Sequence, residues 1–112
     1  MKYHEIFPMD RADLERLFES GDETAIIDAL LSAAYYDSDW RWVQTTCLRF
    51  LDHPAKWVRW NAVTCLGHLA RIHKELDLQI VLPKLLAMKA DSDIAPNIED
   101  SLEDIKWYLR VQ

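Results

Sequence analysis

Glycine is nearly absent: Gly21 and Gly67 are the only two in 112 residues. That excludes a sheet needing many tight turns, and it excludes the Gly-rich loop with which many enzymes cradle phosphate. An excess of positive charge is also missing. Nineteen acidic residues stand against 13 basic ones, a formal net charge of −6, so nonspecific adhesion to nucleic acid or anionic membrane is unfavourable and a basic protein partner is favoured. No apolar run approaches the ~20 residues that span a bilayer, and nothing near Met1 reads as a secretory leader. Cysteine is scarce: Cys47 and Cys65 both fall on apolar helical faces. They read as reduced core thiols of a cytoplasmic protein, a disulfide between them being the alternative that spacing leaves open.

What the chain has is helical periodicity and tryptophan. Half of its residues are hydrophobic, enough for one core, and residues 1–112 read as a single domain that needs no metal to fold. The organising stretch runs from His53 to Glu75. Val58, Ala62, Cys65, Leu66, Leu69 and Ile72 share one side of a 3.6-residue helix, and Trp57, Asn61, Thr64, His68 and Arg71 share the opposite side. Trp60, Val63, Gly67 and Ala70 form a flanking face. A helix that is apolar in two directions must touch more than one neighbour, which makes this the central helix of a stack.

The remaining elements follow in order. Asp10, with Asp13 at capping-box spacing, starts a short helix carrying Leu14, Leu17 and Phe18. Ser20, Gly21 and Asp22 end it and cap a second, Glu23 to about Tyr35, with Ile26, Ile27, Leu30, Ala33 and Ala34 inward. Asp37, Ser38 and Asp39 break the chain again. A third helix then runs from Trp40 to about Leu51, with Val43, Cys47, Phe50 and Leu51 inward. Beyond the central helix, a fifth carries Leu78, Val81, Leu82, Leu85, Leu86 and Met88, with Pro83 kinking it or lying near its first turn. The sixth, from Asp93, carries Ile94, Ile98, Leu102, Ile105 and Leu109.

A shift of 36 positions takes Val58 to Ile94, Ala62 to Ile98, Leu66 to Leu102 and Leu69 to Ile105. Helical hairpins repeated at that interval stack side by side, because neither can bury its apolar faces alone. Asp52, Val58, Arg59, Ala62, Leu66 and Leu69 resemble the HEAT-repeat pattern, over roughly residues 38–109. The resemblance implies an all-α fold: a short right-handed superhelix of about six antiparallel helices in three stacked hairpins. It also implies that Asp52, between paired helices, contacts Arg59. The spacing from Asp52 to Arg59 is one residue longer than that pattern, and Ala95 stands where the second repeat would place its arginine, so the stacking is expected more firmly than the Asp/Arg ladder.

A narrower resemblance lies in the runs Trp40-Arg41-Trp42-Val43-Gln44, Thr64 to His73, and Ile98 to Ile105. These are similar to small bacterial HEAT-like immunity partners of polymorphic and contact-dependent inhibition toxins. The resemblance implies a protein that binds one toxin, often a nuclease, and blocks its active site.

Candidate chemistry is sparse. His68 and His73 point about 140° apart around a helix, so they do not converge on a metal. Cys65 with His68 has usable spacing, but the pair lacks the orienting group and oxyanion site a nucleophile needs and reads as a core thiol beside a surface histidine. No enzyme activity, cofactor, metal or small-molecule substrate is expected. Asp93, Asn97, Asp100, Asp104 and Trp107 recur at i, i+4, i+7, i+11 and i+14, an acidic strip ending in an aromatic ring. Its bland reading is a solvated helix face.

Five tryptophans shift the balance, because Trp40 with Trp42, or Trp57 with Trp60, sit on different faces and cannot all enter one core. Tryptophan is enriched at the energetic centres of interfaces, although wedging between hairpins is an equal alternative for any one of them. Arg59 reads as a ladder or capping arginine. The candidate partner-binding residues are therefore Asp39, Trp40, Trp57, Trp60, Asp93, Asp100, Asp104 and Trp107. Two functions fit: an inhibitor that plugs the basic site of a toxin, its carboxylates standing in for phosphates, or a general HEAT-type adaptor or assembly subunit.

Overall fold

The computed structural model describes residues 5–109. Among these there is no strand. The helices are α1 (Arg11–Phe18), α2 (Glu23–Tyr36), α3 (Trp40–Phe50), α4 (Lys56–His73), α5 (Leu78–Ala87) and α6 (Ala95–Leu109), with one 3₁₀ turn, Met88–Ala90, after α5. Three starts are set by the aspartates the pattern picks out. Asp10, Asp22 and Asp39 accept hydrogen bonds from the backbone N–H groups of Asp13, Thr24 and Trp42, satisfying donors that a helix leaves orphaned. Gly21 takes φ +74° in the turn before α2, where a Cβ would be strained.

Helices pair as α1/α2, α3/α4 and α5/α6. The second members form a layer with α4 in the middle, packed on α2, α3 and α6. This is the stack that apolar faces in two directions require. Val58, Ala62, Cys65, Leu66 and Leu69 are buried toward one side and Val63, Gly67 and Ala70 toward the other. Ala29, Ala33 and Ala34 keep the α2 surface small enough for close packing. Of the four 36-residue pairs, Val58/Ile94, Ala62/Ile98 and Leu69/Ile105 are wholly buried, while Leu102 is half-buried against its Leu66 counterpart's core.

Ser32 Oγ of α2 donates to the Phe7 carbonyl at 2.6 Å, holding the segment before α1. Other buried polar groups tie one hairpin to the next: the Asp77 N–H donates to Gln44 Oε1 at 2.7 Å. Between α4 and α6, Asn97 Nδ2 donates to the Trp60 carbonyl at 2.6 Å and to Thr64 Oγ1 at 2.9 Å, and Ser101 Oγ donates to the Val63 carbonyl at 3.0 Å. Gly67 permits this approach: a Cβ there would lie 3.3 Å from Ser101 Oγ and 3.4 Å from Asp104 Oδ2.

Several expectations are corrected. Asp52 does not meet Arg59; it pairs with Lys84 Nζ at 2.9 Å. Arg59 instead donates to the His53 and Pro54 carbonyls at 3.0 and 2.8 Å and lies 3.3 Å from Asp91 and 3.5 Å from Asp93. It thereby bridges the start of α4 to the turn that leads into α6, within the third hairpin. The organising helix begins at Lys56, three residues after His53, since Pro54 keeps its predecessor out of the helix. Pro83 sits in the second turn of α5. Leu86 is 54% exposed and Ile72 36% exposed, because each lies at the edge of its apolar stripe, beyond the reach of the packed neighbour.

Candidate partner-binding face

The middle helix has one uncovered side. Trp57, Asn61, Thr64, His68 and Arg71 run along it at helical spacing, Trp57 and Arg71 exposed and the other three half-buried. From α2, Tyr35 leans onto it: its ring centroid lies 5.0 Å from that of His68, and its hydroxyl lies 3.4 Å from His68 Nε2. From α6, Asp104 reaches over Gly67 and acts on His68 through its charge. The face therefore spans the three second helices of the stack.

His68 fixes the electrostatics of its centre. The guanidinium of Arg71 lies 3.1 Å from His68 Nδ1. A guanidinium only donates, so Nδ1 accepts and the imidazole is the neutral tautomer with its proton on Nε2, directed at the Tyr35 hydroxyl. Burial first, and then the Arg71 charge, lower the His68 pKa from its ordinary value; Asp104 opposes them. In the core behind, the hydrogen bond with Cys47, together with burial, raises the Cys65 thiol well above its usual pKa. Both thiols are free and buried.

Of the sequence-selected residues, Trp57, Asp100, Asp104 and Trp107 lie on or beside this face. Trp57 is 52% exposed and Trp107 72% exposed. Asp100 is exposed, and its side chain makes no hydrogen bond or ion pair among the described residues. Trp60 meets Trp57 edge-on at 5.7 Å but is itself half-buried against the core. Asn97, placed in the acidic strip by its spacing, is buried at the α4 contact, so the strip is broken into an α4-facing half and an exposed half.

The structure does not bring the remaining three into the face. Asp39 caps α3 and lies 3.8 Å from Arg11 of α1. Trp40, half-buried, carries Arg41 over its ring at 4.6 Å. Asp93 belongs to the Arg59 joint, on the opposite side of α4. Tyr35, Asn61, His68 and Arg71 were not selected from sequence. The signal for the last three was their shared helical side with Trp57; nothing local to Tyr35 marks it.

No family model matches the chain, and comparison with curated proteins gives no match. Among solved structures, a chain of a CDI complex from Cupriavidus taiwanensis LMG 19424 is similar to it with a TM-score of 0.85 and 34% sequence identity, over 96% of each chain. The chain belongs to that protein's family. The two chains share the stacked-hairpin fold over nearly their whole length, and the face across α2, α4 and α6 is built from elements within the matched span. Among the described residues no helix is long and apolar enough to cross a membrane, and no group of three His, Cys, Asp or Glu is placed to hold a metal ion.

Proposed function

We propose that the protein is the immunity member of a contact-dependent inhibition pair: it binds one cognate toxin in the cytoplasm and blocks its active site. The observation that carries this reading is the full-length likeness to a chain of a CDI complex. The physical reading agrees with it. A net charge of −6 steers the protein toward a cationic partner and raises the rate of encounter. Exposed Trp57 and Trp107 provide large, rigid anchoring area.

The toxin that best suits such a surface is a basic nuclease domain. Asp100 and Asp104 would occupy the cations that otherwise hold substrate phosphates, so inhibition is by occlusion, with no cofactor, small-molecule substrate, nucleic acid or membrane involved on this side of the pair. The test is coexpression with the toxin domain encoded beside this chain's gene. The expected result is a stable complex and survival of the producing cell. A toxin domain that neither co-purifies with the protein nor loses toxicity in its presence refutes the proposal.

A further inference from the structure

Arginines on this chain are generally matched by a carboxylate. Arg11 reaches Asp37 at 3.3 Å, Arg16 reaches Asp13 at 2.8 Å, Arg49 reaches Glu19 at 3.4 Å and Arg59 reaches Asp91 at 3.3 Å, while Arg41 lies over Trp40. Arg71 differs. Although carboxylates outnumber cations and Asp104 stands nearby on α6, Arg71 makes no ion pair among the described residues, and its guanidinium is held by the lone pair of a neutral histidine. That histidine is in turn braced by Tyr35 from α2. A guanidinium has five donors, and the bond to Nδ1 uses one, leaving donors turned to solvent at the centre of the uncovered side of α4.

We infer that Arg71 is the carboxylate-reading contact of the docking face: it receives an Asp or Glu side chain of the toxin, while Asp100 and Asp104 receive cationic side chains. This rests on the immunity reading. It refines it, because the partner surface that fits is of mixed sign rather than uniformly basic. His68 is a positioning residue that restricts the guanidinium to one orientation, cutting the side-chain entropy lost on docking, and Tyr35 restricts His68. A forked pair between guanidinium and carboxylate supplies register that a field of like charges does not. Like-charge contact at either end of the face also disfavours non-cognate toxins.

The arrangement makes docking sensitive to pH. The groups facing His68 are Tyr35 on α2, Arg71 on α4 and Asp104 on α6; Asp28 lies two turns before Tyr35 on the same side of α2 and has an interaction of its own. Protonated His68 has no lone pair for Arg71 and repels it.

The experiment measures binding of the full-length protein to the toxin domain encoded beside its gene, by calorimetry, with helicity and melting temperature recorded for every variant. At pH 7.5, Arg71→Ala is expected to weaken binding about 30-fold or more, and Arg71→Lys by an intermediate factor, since it keeps the charge and loses the fork. His68→Gln, whose longer amide does not stand where Nδ1 does, is expected to weaken binding by less than Arg71→Ala, because it releases the guanidinium without removing its charge. Wild-type binding is expected to weaken between pH 7.5 and 5.5 more steeply than that of His68→Gln. Double-mutant cycles of Arg71→Ala against alanine replacements of toxin Asp and Glu residues should find one strongly coupled carboxylate.

If the wild-type pair is tight and Arg71→Ala, with unchanged helicity, binds within twofold of it, the inference is overturned while the immunity reading stands. It is overturned in the same way if no toxin carboxylate couples to Arg71. If the wild-type pair does not form, the immunity reading fails and takes this inference with it.

Discussion

Replacing Arg59 with alanine tests how the hairpins are joined. The Arg59 side chain is only 16% exposed and donates to two backbone carbonyls, at 3.0 and 2.8 Å, where the chain turns into α4. It also offers charge to Asp91 and Asp93 at the entrance to α6. α4 begins without a side-chain cap, so Arg59, together with the Ala55 N–H bond to His53 Nδ1, secures the chain entering that helix. Each charge-assisted hydrogen bond is worth about 1.5–3 kcal/mol, and the two share one side chain and do not add fully. The Asp93 contribution is discounted heavily because that carboxylate is 54% exposed.

Removing the guanidinium is therefore expected to cost about 2–4 kcal/mol, a fall in melting temperature of roughly 10–20 °C for a domain of this size. Urea unfolding followed by circular dichroism reads it directly. Arg59→Lys should recover less than half of the loss, since one ammonium cannot serve two carbonyls and two carboxylates in the same geometry. A loss below about 0.5 kcal/mol for Arg59→Ala would show that the joint is held by apolar packing alone and that the bridge drawn from these distances is wrong.

Gly67 offers a graded test of the α4–α6 contact. Gly67→Ala trades ~0.5–1 kcal/mol of helix propensity against a tight contact with Ser101 and should stay within about 1 kcal/mol of wild type, whereas Gly67→Leu should cost about 1–3 kcal/mol or more by forcing the helices apart; chemical denaturation distinguishes the two. Trp107→Ala should change stability by no more than about 0.5 kcal/mol, its ring being 72% exposed, yet lower affinity for the toxin domain. The His68 shift carries a sign for stability. Its folded pKa is depressed, so below about 6.5 the unfolded chain binds the proton first. Stability should then be complete above that pH, fall as pH drops toward the folded value, and level off below it. His68→Gln should remove that component from a pH series of unfolding curves.

The helices were legible because capping and periodicity are local. Asp10, Asp22 and Asp39 announce three starts, and the 36-residue shift announces the buried pairs. Arg59 was harder to read. Its partners come from residues five and six positions back and from a loop about 32 positions ahead, and the HEAT-type pattern directed attention to Asp52, which Lys84 occupies. Asn97 shows the same limit: spacing puts it in line with Asp93, Asp100 and Asp104, but only the proximity that Gly67 allows reveals that α4 covers part of that line. The uncovered side of α4 was visible as a polar stripe. Its meaning depended on Tyr35 arriving from α2, a contact 33 positions distant in sequence that no local signal encodes.

The most direct measurement is the affinity of the co-encoded toxin domain for wild type and for the double variant Asp100→Lys/Asp104→Lys, with helicity monitored in both. Both carboxylates are exposed and outside the core, and unchanged helicity is the control for Asp104, whose side chain lies over Gly67. A tight wild-type complex that weakens by several orders of magnitude on charge reversal is the predicted result. Equal affinity of the two proteins for the toxin domain would contradict docking through the α4–α6 edge.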